Sequence, residues 1–375
     1  MHLYRNLFDK IIDGSNILEA YKKASNLKHQ KPEFIRYESN LAYNLQVLQI
    51  ELLYNTYNVG RYTTFKVNEP KERLIMKLPA KDRVAQHAWN NICNPIFETK
   101  FIYDSYACRP NKGVQRCVDK ISKWIYNGYN INNTRVYAIK GDMHHYFQSI
   151  NHNVLMNEIC KVIGDDRVLD LTYKFISSNG KMGDGVGVPI GNLTSQLFAN
   201  IYGNILDQYI KRELKCQLYA RYMDDFTIID NDYHRLQFIL DCIRNFAYCE
   251  MKMTLNEKST IVYIDENNAL DFAGFRIYSN RVLPRKSTIE RIYNLLYSLE
   301  DGIISIDDFC KSWPSMIGYI EFANSRNILN EAHNKLYNYL YELYADSDFY
   351  GTNFDLSSEI LLENYYDTIF KYSKY

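Results

Sequence analysis

The sequence of 375 residues has no net charge, because 44 Lys and Arg residues balance 44 Asp and Glu residues. A neutral chain lacks the overall attraction to polyanions that many nucleic-acid-binding proteins have. The charges are nevertheless unevenly distributed, since residues 1–130 hold 20 of the basic residues and 12 of the acidic ones. A basic first third followed by an acidic remainder fits a phosphate-binding part joined to a metal-binding part.

The sequence also lacks cysteine motifs, long apolar runs and repeats. Its eight cysteines form no Cys-x-x-Cys pair and no Cys/His cluster, which argues against a zinc site and indicates reduced thiols in an intracellular protein. No stretch approaches the roughly 18 apolar residues of a membrane span, and the first five residues do not open a signal peptide. We therefore expect a cytoplasmic protein of two or three subdomains that does not contact a membrane.

Two adjacent carboxylates, Asp224 and Asp225, lie between two apolar and aromatic runs, Leu218 to Tyr222 and Phe226 to Ile229. β-branched and aromatic residues favour strands, so this stretch predicts a hairpin with residues 223 and 224 at its bend. Adjacent carboxylates repel each other, and a tight turn keeps two together chiefly where a cation neutralises them. With a third carboxylate they suit two Mg²⁺ ions about 3.5–4 Å apart. A solvated Asp-Asp turn is the simpler interpretation.

A second apolar run, residues 136–141, predicts a strand that ends at Asp142, which supplies the third carboxylate. His144, His145 and His152 follow it. Imidazole ligands do not suit a Mg²⁺ centre, so we interpret these histidines as structural or surface residues. Another acidic pair, at 165 and 166, lies in a polar context between two predicted helices, where helix capping or a solvated turn is expected.

Basic residues recur in segments that suit phosphate groups. Residues 62–78 predict a hairpin that carries Lys71 and Arg73, a platform for a triphosphate, although a solvated basic hairpin is an equal alternative. Arg109 and Lys112 lie in a rigid turn before a helix predicted at Val114 to Tyr126, which suits a nucleic-acid backbone. Further along are Lys258, a candidate general acid or a surface lysine, and Arg285 and Lys286, which begin a helical region.

With Asp142 preceding Tyr222-Met223-Asp224-Asp225, the chain resembles bacterial reverse transcriptases from about Tyr62 to about Asn324. It is most similar to those of diversity-generating retroelements. The motifs that carry the resemblance are, in order, Lys71/Arg73, Lys81 to Val84, Asp142 with Tyr146-Phe147, Ile190 to Gln196, Tyr222 to Asp225, Asn256/Lys258 (one residue closer than in the family) and Gly274-Phe275.

This resemblance implies an α/β (α+β) right-hand polymerase fold with fingers, a palm containing an antiparallel sheet, and a helical thumb. No RNase H, intron maturase or zinc-type endonuclease motif is visible in the sequence. The expected divisions are an N-terminal helical segment at 1–60, fingers at 61–135, a palm at 136–280 with a finger insertion around 153–190, a thumb at 281–343, and an acidic aromatic tail at 344–375.

The resemblance also implies RNA-directed transfer of dNTPs to a primer 3′-OH. Two Mg²⁺ ions, for which Mn²⁺ can substitute, are expected at Asp142, Asp224, Asp225 and the carbonyl of Met143, with Lys258 as a further catalytic residue. The expected partners are template RNA, a DNA primer and product, and an accessory protein or RNA. Residues expected at the dNTP are Lys71, Arg73, Phe147, Ile190, Gly191 and Gln196, with Phe147 selecting deoxyribose. Those expected at primer or template are Arg109, Lys112, Tyr222, Met223, Gly274, Phe275, Arg285 and Lys286.

Ile190 indicates the subtype. Retroviral and intron-encoded relatives usually have Gln-Gly at this point, and an isoleucine cannot form the hydrogen bonds of a glutamine near the template–nucleotide pair, which lowers discrimination. The sequence thus predicts error-prone copying of a retroelement RNA for diversification. Met223, where these enzymes more often have Ala, and the long tail leave a sibling role in antiviral defence open, with a specific or repetitive DNA product. An alternative of another class is a non-catalytic RNA-binding scaffold.

Overall fold

Helical periodicity shapes the start of the chain, as the sequence predicts. The structure is a computed structural model that describes residues 3–67, 73–131, 133–178 and 185–350. Its contacts divide the chain into two units, Met1–Asn280 and Arg281–Tyr375. The helices that open the first unit are α1 (Phe8–Ile12), α2 (Gly14–Ser25), α3 (Pro32–Glu38) and α4 (Leu41–Leu53).

An antiparallel hairpin and two long helices follow. Strands β1 (Thr63–Val67) and β2 (Arg73–Lys77) pair in the register Thr63↔Lys77 to Val67↔Arg73, which confirms the predicted hairpin. Its connection, with Lys71, lies outside the described residues. The helices are α5 (Ala80–Glu98) and α6 (Val114–Tyr126), the latter with the predicted bounds and followed by a π-helical turn at Asn127–Ile131.

The centre of the first unit is a four-stranded antiparallel sheet. Its strands are β3 (Val136–Asp142), β4 (Tyr219–Tyr222), β5 (Asp225–Asp230) and β6 (Thr260–Ile264), in the order β4-β5-β3-β6. The helices between these strands are α7 (Tyr146–Ser149), α8 (His152–Cys160), α9 (Asp166–Ile176), α10 (Leu193–Gln208), which runs into a π-helical turn at Tyr209–Glu213, and α11 (Tyr233–Cys249).

Helices cover this sheet because alternate strand residues and helix stripes are apolar. Helix α11 packs against β3, β5 and β6, and α6 packs along the edge strand β4. In the core, Trp89 contacts the rings of Phe175 and Phe198 edge-on. Its indole nitrogen donates to Oγ1 of Thr172 at 2.9 Å, which satisfies a polar group that is fully buried.

The second acidic pair has the capping role that its context predicts. Asp165 Oδ1 accepts from the backbone nitrogen of Val168 at 3.4 Å at the start of α9. Its Oδ2 accepts from the nitrogens of Leu7 and Phe8 at 2.8 and 3.0 Å at the start of α1. One carboxylate therefore satisfies the first turns of two helices.

The first unit ends with a short hairpin of β7 (Leu270–Phe272) and β8 (Phe275–Ile277), which contains the Gly274-Phe275 motif. The second unit contains β9 (Val282–Pro284) and the helices α12 (Lys286–Glu300), α13 (Ile306–Phe322) and α14 (Arg326–Tyr350). Helix α14 extends beyond the expected start of the tail at 344, because no Gly or Pro interrupts it before Gly351. Residues 351–375 of the predicted tail lie outside the described residues.

Two further sequence predictions can be compared with this fold. All eight cysteines are free thiols. Across the described ranges, no helix is long and apolar enough to cross a bilayer. The division into fingers, palm and thumb stays a prediction.

Candidate functional site

The predicted hairpin of β4 and β5 has a two-residue turn. Tyr222 pairs with Asp225, which leaves Met223 and Asp224 as the turn residues. Met223 has a φ of 59°, in the left-handed region. This region costs an L-residue with a side chain about 1 kcal/mol, so the surrounding structure has to hold the turn in place.

Strand β3 brings the third aspartate to this hairpin. In the antiparallel register of β3 and β5, Asp142 is the direct partner of Asp225. Directly opposed residues point to the same face of a sheet with Cβ atoms about 4.5–5.5 Å apart. Asp142 and Asp225 therefore form a carboxylate pair beside the turn that holds Asp224.

The donor chemistry of these carboxylates fits Mg²⁺, which prefers hard oxygen ligands. Within the part of the chain that the structure describes, however, no three His, Cys, Asp or Glu side chains form a group that could hold a metal ion. The geometry thus supplies an opposed pair and a neighbouring third carboxylate, and their shared ligation stays a prediction.

Behind the carboxylate pair, Gly141 leaves room for an aromatic ring. Gly141 is the register partner of Phe226, whose side chain is fully buried. A Cβ atom at Gly141 would lie 2.1 Å from Cζ of Phe226. The ring therefore lies directly across the glycine, and the end of the sheet is tightly packed on the face opposite the carboxylates.

Asp142 is held by the segment before β6. Asn256 Nδ2 donates to Asp142 Oδ2 at 3.0 Å, and the backbone nitrogen of Asn256 donates to the carbonyl of Asp142 at 2.7 Å. The backbone nitrogen of Asp142 donates to Oγ of Ser259 at 3.1 Å. Sequence reasoning noted Asn256 only as part of a motif and missed Ser259. The spacing to Lys258 was the sole signal for this segment.

Beneath the hairpin, Arg221 forms a buried ion pair with Asp207 of α10. The two side chains are 2% and 0% exposed. Nε and Nη2 of Arg221 each donate to one carboxylate oxygen at 2.8 Å, and the hydroxyl of Tyr219 donates to Oδ1 of Asp207 at 2.6 Å. Burying two charges costs free energy, and a bidentate, hydrogen-bonded ion pair offsets this cost.

The remaining donors of Arg221 reach the hairpin turn and its surroundings. Nη1 donates to the carbonyl of Met223 at 2.9 Å, and Nη2 donates to Oγ of Ser105 at 3.2 Å. Burial opposes the charge on Arg221, but attraction and hydrogen bonds from Asp207 outweigh it and raise the pKa of the guanidinium. Arg221 therefore stays charged and ties the strained turn to the interior. Sequence reasoning missed this pair, and no local pattern marks it.

A glycine of α10 makes room for this ion pair. A Cβ atom at Gly203 would lie 2.5 Å from Cζ of Arg221 and 2.7 Å from the hydroxyl oxygen of Tyr146. That hydroxyl donates to the carbonyl of Ala199 at 2.7 Å. The close approach of helix backbone and guanidinium depends on a residue without a side chain.

The loop that contains Ile190 contacts the β1–β2 hairpin. The backbone nitrogen of Met76 in β2 donates to the carbonyl of Ile190 at 2.8 Å. Gly191 has a φ of 114°, and a Cβ atom there would lie 2.8 Å from the carbonyl oxygen of Met76. Two segments predicted to contact the same nucleotide are therefore in direct contact, whereas Gln196 is exposed on α10.

Phe147 is half-buried on α7 beside the ring of Tyr146, with centroids 5.9 Å apart. Its carbonyl accepts from the nitrogen of Val188, close in sequence to Ile190. His152 is buried and contacts the carbonyl of Gly187 through Nε2 at 2.7 Å. His144 and His145 are exposed, so the histidines are structural or surface residues, as predicted.

The predicted basic contacts differ in their availability. Arg73 is the first residue of β2. The side chain of Arg109 is only 6% exposed, because it pairs with Glu98 at 2.7 Å and donates to the carbonyls of Ile102 and Ser105 at 2.6 and 2.7 Å. These bonds make Arg109 a structural residue of its turn, whereas the sequence predicted a phosphate contact there.

Lys112 and Lys258 have different surroundings. Lys112 donates to the carbonyl of Tyr103 at 2.8 Å and lies 3.3 Å from the centroid of that ring. Lys258 is exposed, and its side chain has no hydrogen-bond or ion-pair partner among the described residues. Lys258 is therefore available to a ligand, whereas Lys112 already has a partner.

The β7–β8 turn consists of Ala273 and Gly274, both with positive φ (46° and 93°), as a type I′ hairpin requires. Phe275 is fully buried, so it anchors the hairpin. In the second unit, Arg285 precedes α12 and Lys286 begins it. The side chain of Lys286 is 91% exposed, with a loose i,i+4 contact to Glu290 at 3.6 Å.

Comparison with known proteins gives a family match over this site. The family model described as reverse transcriptase (RNA-dependent DNA polymerase) matches residues 66–277, more than half of the chain. Protein YkfC of Escherichia coli is 27% identical over 286 residues, which cover 65% of this chain and 74% of that protein. The group II intron-encoded protein LtrA of Lactococcus lactis subsp. cremoris is 23% identical, over 84% of this chain and 63% of that protein.

Among solved structures, apo telomerase from Candida tropicalis, truncated from its C-terminal domain, is similar with a TM-score of 0.45 at 14% identity. That match covers 65% of this chain and 60% of the telomerase chain. Telomerase from Candida albicans with a fragment of telomeric RNA gives a TM-score of 0.48 at 11% identity, over 76% of this chain and 55% of that one. The chain thus spans less than two thirds of LtrA and of both telomerase chains.

Proposed function

The chain belongs to the reverse transcriptase (RNA-dependent DNA polymerase) family, and we propose that it transfers nucleotides from dNTPs to a primer 3′-OH under the direction of an RNA template. The observation that carries this proposal is the register of the central sheet, in which Asp142 opposes Asp225. Asp224 lies in the adjoining turn. The mixed helices and antiparallel sheets are those of a right-hand polymerase fold.

Reverse transcriptases generally use divalent metal ions. We assign two Mg²⁺ ions, with Mn²⁺ as a substitute, to Asp142, Asp224, Asp225 and the carbonyl of Met143, because these are hard oxygen donors. Such ions, when bound, make a hydroxyl more acidic and neutralise the charge of a triphosphate. Side-chain rotation is part of the assignment, since the described carboxylates do not form a three-ligand group as they stand.

The protein's own residues position the reacting groups. Asn256 orients Asp142 through Oδ2, and Arg221 holds the turn that carries Asp224. The primer 3′-hydroxyl loses its proton to solvent as its oxygen attacks the α-phosphorus of the dNTP, and the bond to pyrophosphate breaks. Lys258, exposed on the segment that holds Asp142, supplies a proton to the departing pyrophosphate.

The incoming nucleotide lies between the β1–β2 hairpin and the loop at Ile190. Lys71 and Arg73 contact its phosphates, Phe147 selects against a ribose 2′-OH, and Ile190 packs near the new base pair. The bond from Met76 to the carbonyl of Ile190 supports this arrangement, since it joins the hairpin to the loop. Gly191 and Gln196 belong to the same surface.

The primer and template contacts are proposed for each unit separately. Tyr222 and Met223 face the primer end at the hairpin, and the Gly274-Phe275 hairpin presents its backbone to the primer. Lys140 supports that hairpin through Asp271 at 3.1 Å. In the second unit, Lys286 is exposed for a duplex backbone, beside Arg285.

For the biological role we propose error-prone copying of a retroelement RNA. Ile190 supports it, because an apolar side chain near the template–nucleotide pair cannot form geometry-sensing hydrogen bonds. An antiviral-defence enzyme that makes a fixed or repetitive DNA shares the same chemistry, and sequencing of the products separates the two roles. Scattered substitutions support diversification, and a constant product supports defence.

The chemistry itself is tested by primer extension on an RNA template with Mg²⁺. The parent is expected to extend the primer, and Asp224→Asn is expected to abolish extension. The matched control is Asp166→Asn, which alters another adjacent Asp pair, at the start of α9, and is expected to extend at the parent's rate. Equal extension by Asp224→Asn and the parent, or none by the parent, would overturn the proposal; the latter would leave a scaffold role.

A further inference from the structure

A cleft opens at the end of the central sheet opposite the aspartates. It has a volume of about 410 Å³ and is lined by Trp124 of α6, by Arg135 and Val136 at the start of β3, by Lys215, and by Asp230 at the end of β5. Strand β3 has seven residues, and the six steps from Val136 to Asp142 correspond to about 20 Å. The cleft is therefore distinct from the proposed polymerase site.

The lining of this cleft carries unpaired positive charge. Arg135 and Lys215 are exposed, and neither forms an ion pair or side-chain hydrogen bond with any other residue that the structure describes. The carboxylate of Asp230 is already compensated, because it pairs with Arg235 at 2.7 Å and accepts from the nitrogens of Asn231 and Asp232. The cleft thus favours an anion.

An aromatic ring accompanies these cations. Trp124 is half-buried and lines the cleft, and Lys120 Nζ lies 5.6 Å from the centroid of its ring. Cations next to an accessible indole are the combination that binds a nucleobase by stacking and its phosphates by charge. A volume of this size also lies in the range of small-ligand sites, about 300–1,000 Å³. A further feature is therefore needed to decide whether the cleft binds a mononucleotide or a nucleic-acid strand.

That feature is the outer face of α6. The helix buries Cys117, Val118, Ile121 and Ile125, and it turns Arg116, Lys120 and Lys123 outward at spacings of four and three residues. Lys123 pairs with Asp119 at 2.7 Å, but both side chains are largely exposed and such a pair is weak. A row of cations separated by one helical turn each suits the repeated phosphates of a strand.

Helix α6 also connects the two ends of the sheet. At its start, the nitrogen of Gly113 donates to the carbonyl of Tyr106. The nitrogen of Tyr106 donates in turn to the carbonyl of Arg221, next to the turn of the β4–β5 hairpin. At its end, Trp124 lines the cleft. A helix of 13 residues spans about 20 Å, so its basic face is a continuous path between the two places.

We propose that the outer face of α6 and this cleft form a second binding site for single-stranded nucleic acid, with a base stacked on Trp124 and phosphates at Arg135 and Lys215. RNA and DNA share this chemistry. The site goes beyond the proposed polymerase function and does not depend on catalysis.

Tryptophan fluorescence offers a direct test on the full chain. The sequence has three tryptophans, and Trp89 and Trp313 are 0% and 3% exposed. A base that stacks on an indole therefore has Trp124 as its accessible target. We expect oligo-rU or oligo-dT to quench the fluorescence of an Asp224→Asn chain as it quenches that of the parent, and Trp124→Phe to remove the quenching. The relative affinities of the RNA and DNA oligomers identify the strand that the site prefers.

Charge variants test the phosphate contacts by fluorescence anisotropy of labelled oligomers. Loss of two phosphate contacts in Arg135→Gln/Lys215→Gln is expected to reduce the slope of log affinity against log salt by about 1.4. Trp124→Leu is expected to weaken binding about ten-fold. The control with the same change in charge, Lys10→Gln/Lys161→Gln, alters exposed residues away from the cleft and is expected to keep the parent's slope.

Three results would overturn the proposal: no quenching of Trp124 by either oligomer, equal quenching by a mononucleotide at the same concentration of bases, or equal loss of slope in the control. Circular dichroism establishes that each variant is folded. Asp224→Asn cannot extend a primer if the proposed chemistry is right. Oligomer binding by this variant therefore tests the cleft independently of the proposed polymerase function.

Discussion

The buried ion pair beneath the hairpin offers the sharpest prediction of stability. Asp207→Asn keeps the size of the side chain but removes the charge that faces Arg221 at 2.8 Å. A guanidinium that is 2% exposed cannot regain water, and breaking such a pair costs about 3–5 kcal/mol. Whole domains are stable by only about 5–15 kcal/mol, so the midpoint of thermal unfolding should fall by on the order of 10 °C.

A charge-free replacement separates stability from positioning. Asp207→Leu with Arg221→Met leaves no buried charge, and the addition of Tyr219→Phe removes the hydroxyl that would lose its acceptor. Apolar replacements of buried ion pairs are often neutral in stability. This triple variant should therefore unfold near the parent's temperature. It still lacks the bond to the carbonyl of Met223, so the strained turn is no longer held.

Thermal unfolding and primer extension together distinguish a loss of stability from a loss of positioning. In primer extension the triple variant should lose roughly 100-fold in kcat with a smaller change in KM for dNTP, because a small displacement of reacting groups affects the chemical step. Asp119→Asn removes an exposed partner of Lys123 and should shift unfolding very little. The reasoning is refuted if Asp207→Asn unfolds with the parent, or if the triple variant keeps full kcat.

Three further changes follow from single contacts. Gly141→Ala places a methyl group 2.1 Å from the ring of Phe226 and should lower the free energy of unfolding by about 1–3 kcal/mol. The control Gly318→Ala, whose methyl group meets nothing within 4 Å, should not lower it. Similar midpoints of thermal unfolding for the two variants would contradict the packing argument. Ile190→Gln should lower the substitution frequency in sequenced cDNA, and an unchanged frequency would remove Ile190 as the cause of error. Burial, with nearby cations, lowers the pKa of His87 from 6.5 to about 4. As the pH falls from 6.5 to about 4, the unfolded chain therefore binds a proton before the folded chain does, and the free energy of unfolding decreases. His87→Gln should flatten this part of the curve of stability against pH.

Local rules explain why the hairpins could be predicted. The β4–β5 hairpin follows from two β-favouring runs around a polar turn, and its strands differ from the predicted runs by one residue at three of their four ends. The β7–β8 hairpin has Ala273-Gly274 at positive φ. Each of these features depends on residues that are close in the chain.

The order of the strands depends on distant residues. Nothing between Val136 and Asp142 specifies that β3 lies between β5 and β6. The apolar run before Asp142 predicted a strand that ends there, but the order of the family's motifs was needed to expect Asp142 beside Asp225. Ser259 escaped notice for the same reason, and Asn256 was noted only as part of a motif, since both approach Asp142 from more than a hundred residues away.

Arg109 and Arg221 show where sequence reasoning reaches its limit. Arg109 follows a polar turn and was expected to contact phosphate, yet its guanidinium is buried against Glu98. Arg221 lies in a strand and attracted no attention, yet it supports the hairpin through Asp207. The partner of each arginine lies eleven or fourteen residues earlier on another element, so the local sequence cannot distinguish a structural cation from a ligand-binding one.

The distinction rests instead on which cations have an internal partner. A guanidinium that forms bidentate bonds to a buried carboxylate has few donors left and would leave that carboxylate unpaired if it turned to a ligand. An exposed cation without a partner in the described part of the chain, such as Lys258, Arg135 or Lys215, keeps its donors available and leaves no carboxylate unpaired when it turns to a ligand. Residues of this kind, and not the number of basic residues in a segment, are therefore the ones to which we assign phosphate contacts, at the aspartates as well as at the opposite end of the sheet.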